Sequence, residues 1–257
     1  MPRILAVINR KGGVGKTTCA VNTAVCLAAA GQRVLLLDLD PQGNATTTFG
    51  LRKDRGMGTT YHLLIGEKKY SEVVQVLYPP LFHFIMADSN LVGAEIELIG
   101  VKQRESALQR ALAPCQEGYD FIILDCPPSL GLLTLNALVA ADGVIIPVQC
   151  EFFSMEGFVQ TRDAIQRINN NFNKAITMEA ILFNMVDDSE AKQNFIREFQ
   201  ERLLDATMST WTIPYDSQVN IAPSHFKPGV CYNPWGQATR QFQELALHLL
   251  RTDRGQS

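Results

Sequence analysis

The 257-residue sequence predicts an α/β fold, a mostly parallel twisted sheet with helices on both faces, and three observations carry that prediction. Strand-like apolar runs alternate with helix-length segments, the pattern of βαβ units. The run from Ile4 to Ile8 is apolar with β-branched residues, the composition of a strand buried on both faces. Three glycines (Gly12, Gly13, Gly15) then precede a helix-compatible stretch from Thr17 to Ala30, so that strand, glycine turn, Lys-Thr and helix follow one another as in a phosphate-binding loop.

The remaining elements follow in order. Gly31 closes the first helix, and Arg33 to Asp38 reads as the second strand. Residues 41 to 60, rich in Gly, Thr and Asn, read as an exposed loop, and Thr60 to Pro80 as two short helices. Leu81 to Met86 is a strand, and Ala107 to Leu112 lies in a helix ending near Gly118. Tyr119 to Asp125 is the clearest central strand, followed by a helix from Gly131 to Ala141 and a strand from Gly143 to Val148. Ser154 is the expected N-cap of a helix reaching Asn171. Ile176 to Val186 contains a strand, Glu190 to Ala206 an amphipathic helix, and Met208 to Ile213 a short strand. A helix from Gln237 to Arg251 puts Phe242, Leu245, Leu249 and Leu250 on one face. With no internal repeat, low-complexity stretch or linker, residues 1–257 are expected to form a single domain.

Composition narrows the function. Hydrophobic residues at 46 % and charged residues at 19 % suit a chain with a sizeable core. No apolar run reaches the ~20 residues of a membrane helix, and the N-terminus enters a strand at once without a signal peptide, so a cytoplasmic location is expected. Six cysteines occur singly and four histidines lie far apart, a pattern that favours buried thiols over a zinc site. Residues 1 to 120 carry 13 basic against 11 acidic side chains, and residues 121 to 257 carry 10 against 15. Neither half is basic enough to announce a nucleic-acid footprint.

The chemistry-bearing residues cluster in a few stretches. In Lys11-Gly12-Gly13-Val14-Gly15-Lys16-Thr17-Thr18 the glycines let backbone N–H groups converge on phosphate oxygens, and the helix start adds partial positive charge. Lys16 supplies a full charge to the β- and γ-phosphates, and Thr17 a hydroxyl for Mg²⁺. Position 10, where the ordinary motif has its first glycine, is Arg10, and Lys11 follows. A second lysine is not needed to hold one nucleotide; it makes sense if Lys11 projects toward a phosphate held by a second subunit. Asp125, at the end of an apolar strand and before Cys126-Pro-Pro, fits a Mg²⁺-holding role. Asp38 and Asp40 lie two apart, so an extended backbone places both carboxylates on one face; the alternative is a pair of strand-end and turn-forming aspartates.

The loop resembles the deviant Walker A motif of the ParA/MinD group of ATPases, a group of P-loop NTPases, and more closely its ParA/Soj branch. The stretches from Leu35 to Thr46, from Ile123 to Leu138 and Ala222-Pro-Ser-His225 are similar to that branch as well, so the resemblance spans almost the whole chain. It implies ATP hydrolysis with Mg²⁺, Asp38 near the metal shell with Thr17 and Asp125, and Asp40 as the carboxylate that positions and activates water. It further implies a homodimer in the ATP state that sandwiches two nucleotides, each Lys11 neutralising charge on the partner's nucleotide. Asn184 and the Ile213-Pro214-Tyr215 turn are the candidates for adenine contacts, beside the alternative of ordinary strand-end polarity.

By the same resemblance, the dimer binds non-specific DNA and a ParB-like or cargo-bound protein stimulates hydrolysis, in a switch that segregates a chromosome or plasmid or positions a cargo, with nucleoid association. The sequence departs from the family there: Pro214 to His225 contains no Lys or Arg, and Met185 to Glu190 is acidic where relatives often place an arginine. Weak DNA binding is therefore expected, unless Arg162, Arg167, Arg197, Arg202 and Arg240 build another strip. Two other classes share the fold. A MinD-like membrane-positioning ATPase would need a basic amphipathic C-terminus, whereas Leu249 to Ser257 turns polar at once. A metabolic ligase or iron–sulfur reductase is the other, and for the reductase no second cysteine pairs convincingly with Cys126. No membrane partner is expected.

Overall fold

The structure is a computed structural model that describes residues 1–51, 57–78, 81–172, 174–205 and 208–254. Among these residues, eight strands form one sheet: β1 (Arg3–Val7), β2 (Val34–Asp38), β3 (Val74–Tyr78), β4 (Phe82–Ile85), β5 (Phe121–Asp125), β6 (Gly143–Gln149), β7 (Thr177–Val186) and β8 (Thr210–Pro214). Their order across the sheet is β3-β4-β2-β5-β1-β6-β7-β8. All neighbours run parallel except the edge strand β3, antiparallel to β4. The helices are α1 (Lys16–Ala29), α2 (Asn44–Thr48), α3 (Thr60–Ile65), α4 (Leu91–Glu97), α5 (Ala107–Leu112), α6 (Leu132–Ala140), α7 (Ser154–Phe172), α8 (Glu190–Leu203), α9 (Ser217–Ile221), α10 (Gly229–Tyr232) and α11 (Gln237–Arg254).

Alternation along each strand builds two cores, one on each face. Ile4, Ala6, Leu35, Leu37, Ile122 and Leu124 face one layer, which holds Leu63 of α3, Leu108 of α5, Leu133 of α6, Phe158 of α7 and Phe199 of α8. Leu5, Val7, Leu36 and Ile123 face the other, with Leu27 of α1, Val230 of α10 and Phe242 of α11. The strands expected on sequence are present to within a few residues, and Gly31 closes α1 at φ +87°.

Three expectations are corrected. Residues 41 to 60 are not a plain exposed loop: α2 forms there, with Ala45, Thr46 and Thr48 buried. The stretch from Thr60 onward holds α3 and a 3-10 turn, but then the edge strand β3 rather than a second helix. Val74 and Val76 alternate with Gln75 as a strand does, over a span too short to establish the period from sequence. Ser154 is the first residue of α7 rather than its cap, and its hydroxyl turns to Lys11 instead. Pro79 and Pro80, the ends of the expected α8 at Ala206 and the chain's last residues lie outside the described residues. Four of the cysteines are buried as expected, while Cys231 is exposed and Cys150 half-buried.

Strands β1, β2, β5, β6, β7 and β8 all end on one edge, where parallel sheets bind ligands. The opposite end is tied by Arg3, which donates to the Leu249 carbonyl at 2.9 Å and to Thr252 at 2.7 Å and pairs with Glu179. Among the described residues no helix is long and apolar enough to cross a membrane. The fully buried Phe242 fastens α11 to α1. Phe242→Ala is therefore expected to lower unfolding free energy by about 3–5 kcal/mol in urea titration; a loss below ~1 kcal/mol would show that α11 is not part of the cooperative core.

Candidate active site

The loop between β1 and α1 is shaped by two glycines in the left-handed region, Gly13 at φ +76° and Gly15 at φ +87°. Gly15 is the N-cap of α1 and offers no side chain, so the first N–H groups of the helix stay open to an anion. A Cβ on Gly12 or Gly13 would meet no protein atom within 4 Å and would instead occupy the space above the loop. A Cβ on Gly15 would fall 2.1 Å from Asn184 Nδ2. Asn184 lies at the end of β7, and its amide donates to the Val14 carbonyl at 2.9 Å while its oxygen accepts from Met185 N–H at 3.0 Å. From the other side, Asn9 donates to the Pro147 carbonyl at 2.6 Å and accepts the Lys11 N–H at 2.9 Å. The loop is thus bolted to β6 and β7.

Lys16 is buried, and its ammonium donates to the Lys11 carbonyl at 3.2 Å. Burial pulls its pKa down, and the nearby Asp125 is the first of the charges that raise it again. The Lys11 ammonium pairs with Glu151 and reaches Ser154 Oγ at 3.2 Å. Neither partner is recognisable from sequence as belonging to the loop, because about 140 residues separate them from it.

Two carboxylates stand side by side at the strand ends, since Asp38 and Asp125 are register partners of β2 and β5, and both are wholly buried. Burial pushes Asp38 up to about 7, against hydrogen bonds from the Thr46 hydroxyl and N–H and from Asp40 N–H, while the charge on Asp40 pushes it further up. Burial, then the charge on Asp38, pushes Asp125 well above the usual carboxylate range; the adjacent Thr17 hydroxyl and Lys16 partly offset this. Neither oxygen of Asp125 has a formed hydrogen bond. An orphaned buried carboxylate beside a threonine hydroxyl is a donor set that fits a hard divalent cation such as Mg²⁺. Asp38 differs from it in having partners within the protein: its Oδ2 accepts the Thr46 N–H and hydroxyl, and its Oδ1 the Asp40 N–H. Asp40 is nearly buried, and its Oδ1 accepts Gln42 N–H at 2.9 Å.

A cleft of about 450 Å³ lies beside these groups, lined by the loop glycines, Lys16, Thr17, Thr18 and Asp40. Its far wall is Met185, Val219, Pro223 and Gly229, none of which the sequence marked as lining a cleft. Pro214 ends β8 in register with Val186 and is not among the residues lining the cleft; Asn184 holds the loop from beneath. Cys126, next to Asp125, is fully buried with its thiol pushed up by burial, unlike an exposed cluster ligand.

Known proteins similar to this chain can now be set beside the geometry. The family described as an AAA domain matches residues 2–178. The sporulation initiation inhibitor protein Soj of Bacillus subtilis is 40 % identical over 250 residues, covering 96 % of this chain and 97 % of that protein. The chromosome-partitioning ATPase Soj of Thermus thermophilus is 41 % identical, with 96 % and 95 % covered. Among solved structures, cobyrinic acid a,c-diamide synthase from Mycobacterium smegmatis with bound ATP analog and magnesium is 31 % identical, covers 100 % of this chain and 98 % of that one, and superposes with a TM-score of 0.86.

The bolt between Asn184 and Val14 is directly testable. Asn184→Ala is expected to weaken nucleotide affinity about 10-fold, the effect of one buried hydrogen bond lost together with its unpaired carbonyl, and to lower the melting temperature by only a few °C. Wild-type affinity in titration with a fluorescent nucleotide would show that the loop keeps its shape without β7.

Proposed function

The chain belongs to the Soj/ParA family of chromosome-partitioning ATPases, and on that premise we propose that it is an ATP-dependent dimerising switch that segregates a chromosome or plasmid or positions another large cargo. The observation that carries this reading is a two-lysine phosphate loop whose Lys16 and Thr17 line the cleft, with the buried Asp125 next to both and without a formed hydrogen bond.

The roles follow from position. Backbone N–H groups from Gly12 to Thr18 bind the phosphates, and Lys16 neutralises the β- and γ-oxygens. Mg²⁺, held when bound by Thr17 and Asp125, supplies charge stabilisation at the phosphate oxygens. Asp40, at the cleft wall with its carboxylate fixed by Gln42 N–H, orients the attacking water and takes its proton as ATP goes to ADP and phosphate. Met185, Val219 and Pro223 are the apolar wall against which the base packs.

Lys11 acts between subunits. Closing two subunits face to face draws its ammonium off Glu151 and Ser154 and onto the partner's nucleotide, a charge delivered only in the assembled state. Hydrolysis removes the γ-phosphate it neutralises and releases the pair, a cycle that a ParB-like or cargo-bound protein accelerates in the cytoplasm.

DNA is a weak ligand in this reading. Lys192, beside the acidic Asp187-Asp188, is spent on Asp187 at 2.8 Å and on the Met185 carbonyl. The five candidate arginines do not form one strip: α7 and α8 lie on one face of the sheet and α11, with Arg240, on the other. Arg202 is paired with Glu198. The partition reading is preferred to a metabolic one because relatives named for chromosome partitioning reach 38 % and 41 % identity over nearly the whole chain, against 31 % for the diamide synthase.

Asp40→Ala separates the parts of this reading. It is expected to keep ATP bound while turnover falls ~100-fold or more, and this trapped form should co-sediment with DNA only at low salt, with a slope of about two phosphate contacts or fewer. Wild-type turnover would remove Asp40 from the mechanism. Absence of any ATP-dependent association with DNA or a partition partner would point to the metabolic class.

A further inference from the structure

The Asp38 carboxylate is occupied within the protein, and what it holds is a wall of the cleft. Its Oδ2 accepts both the Thr46 N–H at 2.9 Å and the Thr46 hydroxyl at 2.8 Å, and its Oδ1 accepts the Asp40 N–H at 3.1 Å. The Thr46 hydroxyl oxygen in turn accepts the Ala87 N–H at 3.0 Å, just past the end of β4. One hydroxyl therefore spans the ends of two adjacent strands, at a position only 6 % exposed.

What hangs from that hydroxyl is α2. Five residues are too few for a helix to persist by its own hydrogen bonds, and α2 starts from Gly43 at φ +65° with no side-chain cap. Its Asn44, Thr47 and Thr48 line the cleft, and Asp40 and Gln42 immediately precede it. The Asp40 carboxylate is oriented by Gln42 N–H, and the Asp40 carbonyl accepts Gly43 N–H at 2.9 Å, so Asp40 and α2 share one short, hydrogen-bonded turn. Displacing α2 would swing Asp40 with it.

We propose that Asp38 is an internal anchor and Thr46 a positioning residue: their hydrogen bonds hold α2 against the ends of β2 and β4 and thereby aim Asp40 into the cleft. This rests on the reading of Asp40 as the residue that directs water. Thr46 is buried and is not among the residues lining the cleft, so it acts only through the segment it fixes.

The test compares Thr46→Val, which removes the hydroxyl at nearly constant volume, with Thr46→Ser, which keeps it; Thr46→Ala is the second hydroxyl-free variant should valine strain the site. In nucleotide-free protein, amide exchange across residues 40–48 is expected to quicken about 10-fold without the hydroxyl. Turnover at saturating ATP should fall by a similar factor while ATP affinity stays within about 3-fold, and Thr46→Ser should stay near wild type in all three measurements. Unchanged exchange in the hydroxyl-free variants would overturn the anchor. Faster exchange with wild-type turnover would overturn the positioning role. Asp40→Asn, assayed in parallel, keeps the two readings apart: its wild-type turnover would remove Asp40 from catalysis, whereas the exchange result judges the anchor alone.

Discussion

Two carboxylates buried against each other at adjacent strand ends are the constraint around which the active edge is arranged. Burial alone disfavours charge on either one, and their proximity compounds it. The protein resolves the conflict unequally. Asp38 receives three donors from its own chain, all from the segment that follows β2, while Asp125 receives no formed hydrogen bond and faces Thr17 and Lys16 across the loop. One carboxylate becomes part of the scaffold, and the other is left without a hydrogen-bond partner, free for the cation proposed above. The loop, α2 and the strand ends are then two sides of one arrangement, with the cleft between them.

What could be read from the sequence was what is local. Glycines and lysines within eight consecutive residues fix a backbone shape and its charge together, so the loop needed no tertiary information. Strand ends were equally legible, because the apolar runs before Asp38 and Asp125 stop where the sheet stops. Long-range pairings were not. Asn184 is 170 residues from the Val14 carbonyl it holds, and as a strand-end amide it looked equally suited to contact a base. Glu151 and Ser154 gave no sign that they would hold Lys11. Thr46 sat among Gly, Thr and Asn, a composition that reads as exposed loop, and only packing against β2 and β4 turns its hydroxyl inward. The cleft wall was not legible as a wall for a related reason, since Met185 comes from a segment far in sequence from that of Val219 and Pro223.

The position of Lys11 connects the geometry to a cycle. In the single subunit its ammonium has a carboxylate and a hydroxyl within its own chain, so the charge is quenched where the nucleotide of a partner would later need it. In the proposed dimer that exposed pair is exchanged for a contact in a drier setting, where the same charge counts for more. Phe152 and Phe153, directly after Glu151, are exposed and pack edge to face on each other.

The account depends most on that exchange. Sedimentation velocity of the wild-type protein with Mg²⁺ and either ADP or a non-hydrolysable ATP analog tests it directly. The account predicts a monomer with ADP and a dimer with the analog; a protein that stays monomeric when saturated with the analog would contradict it.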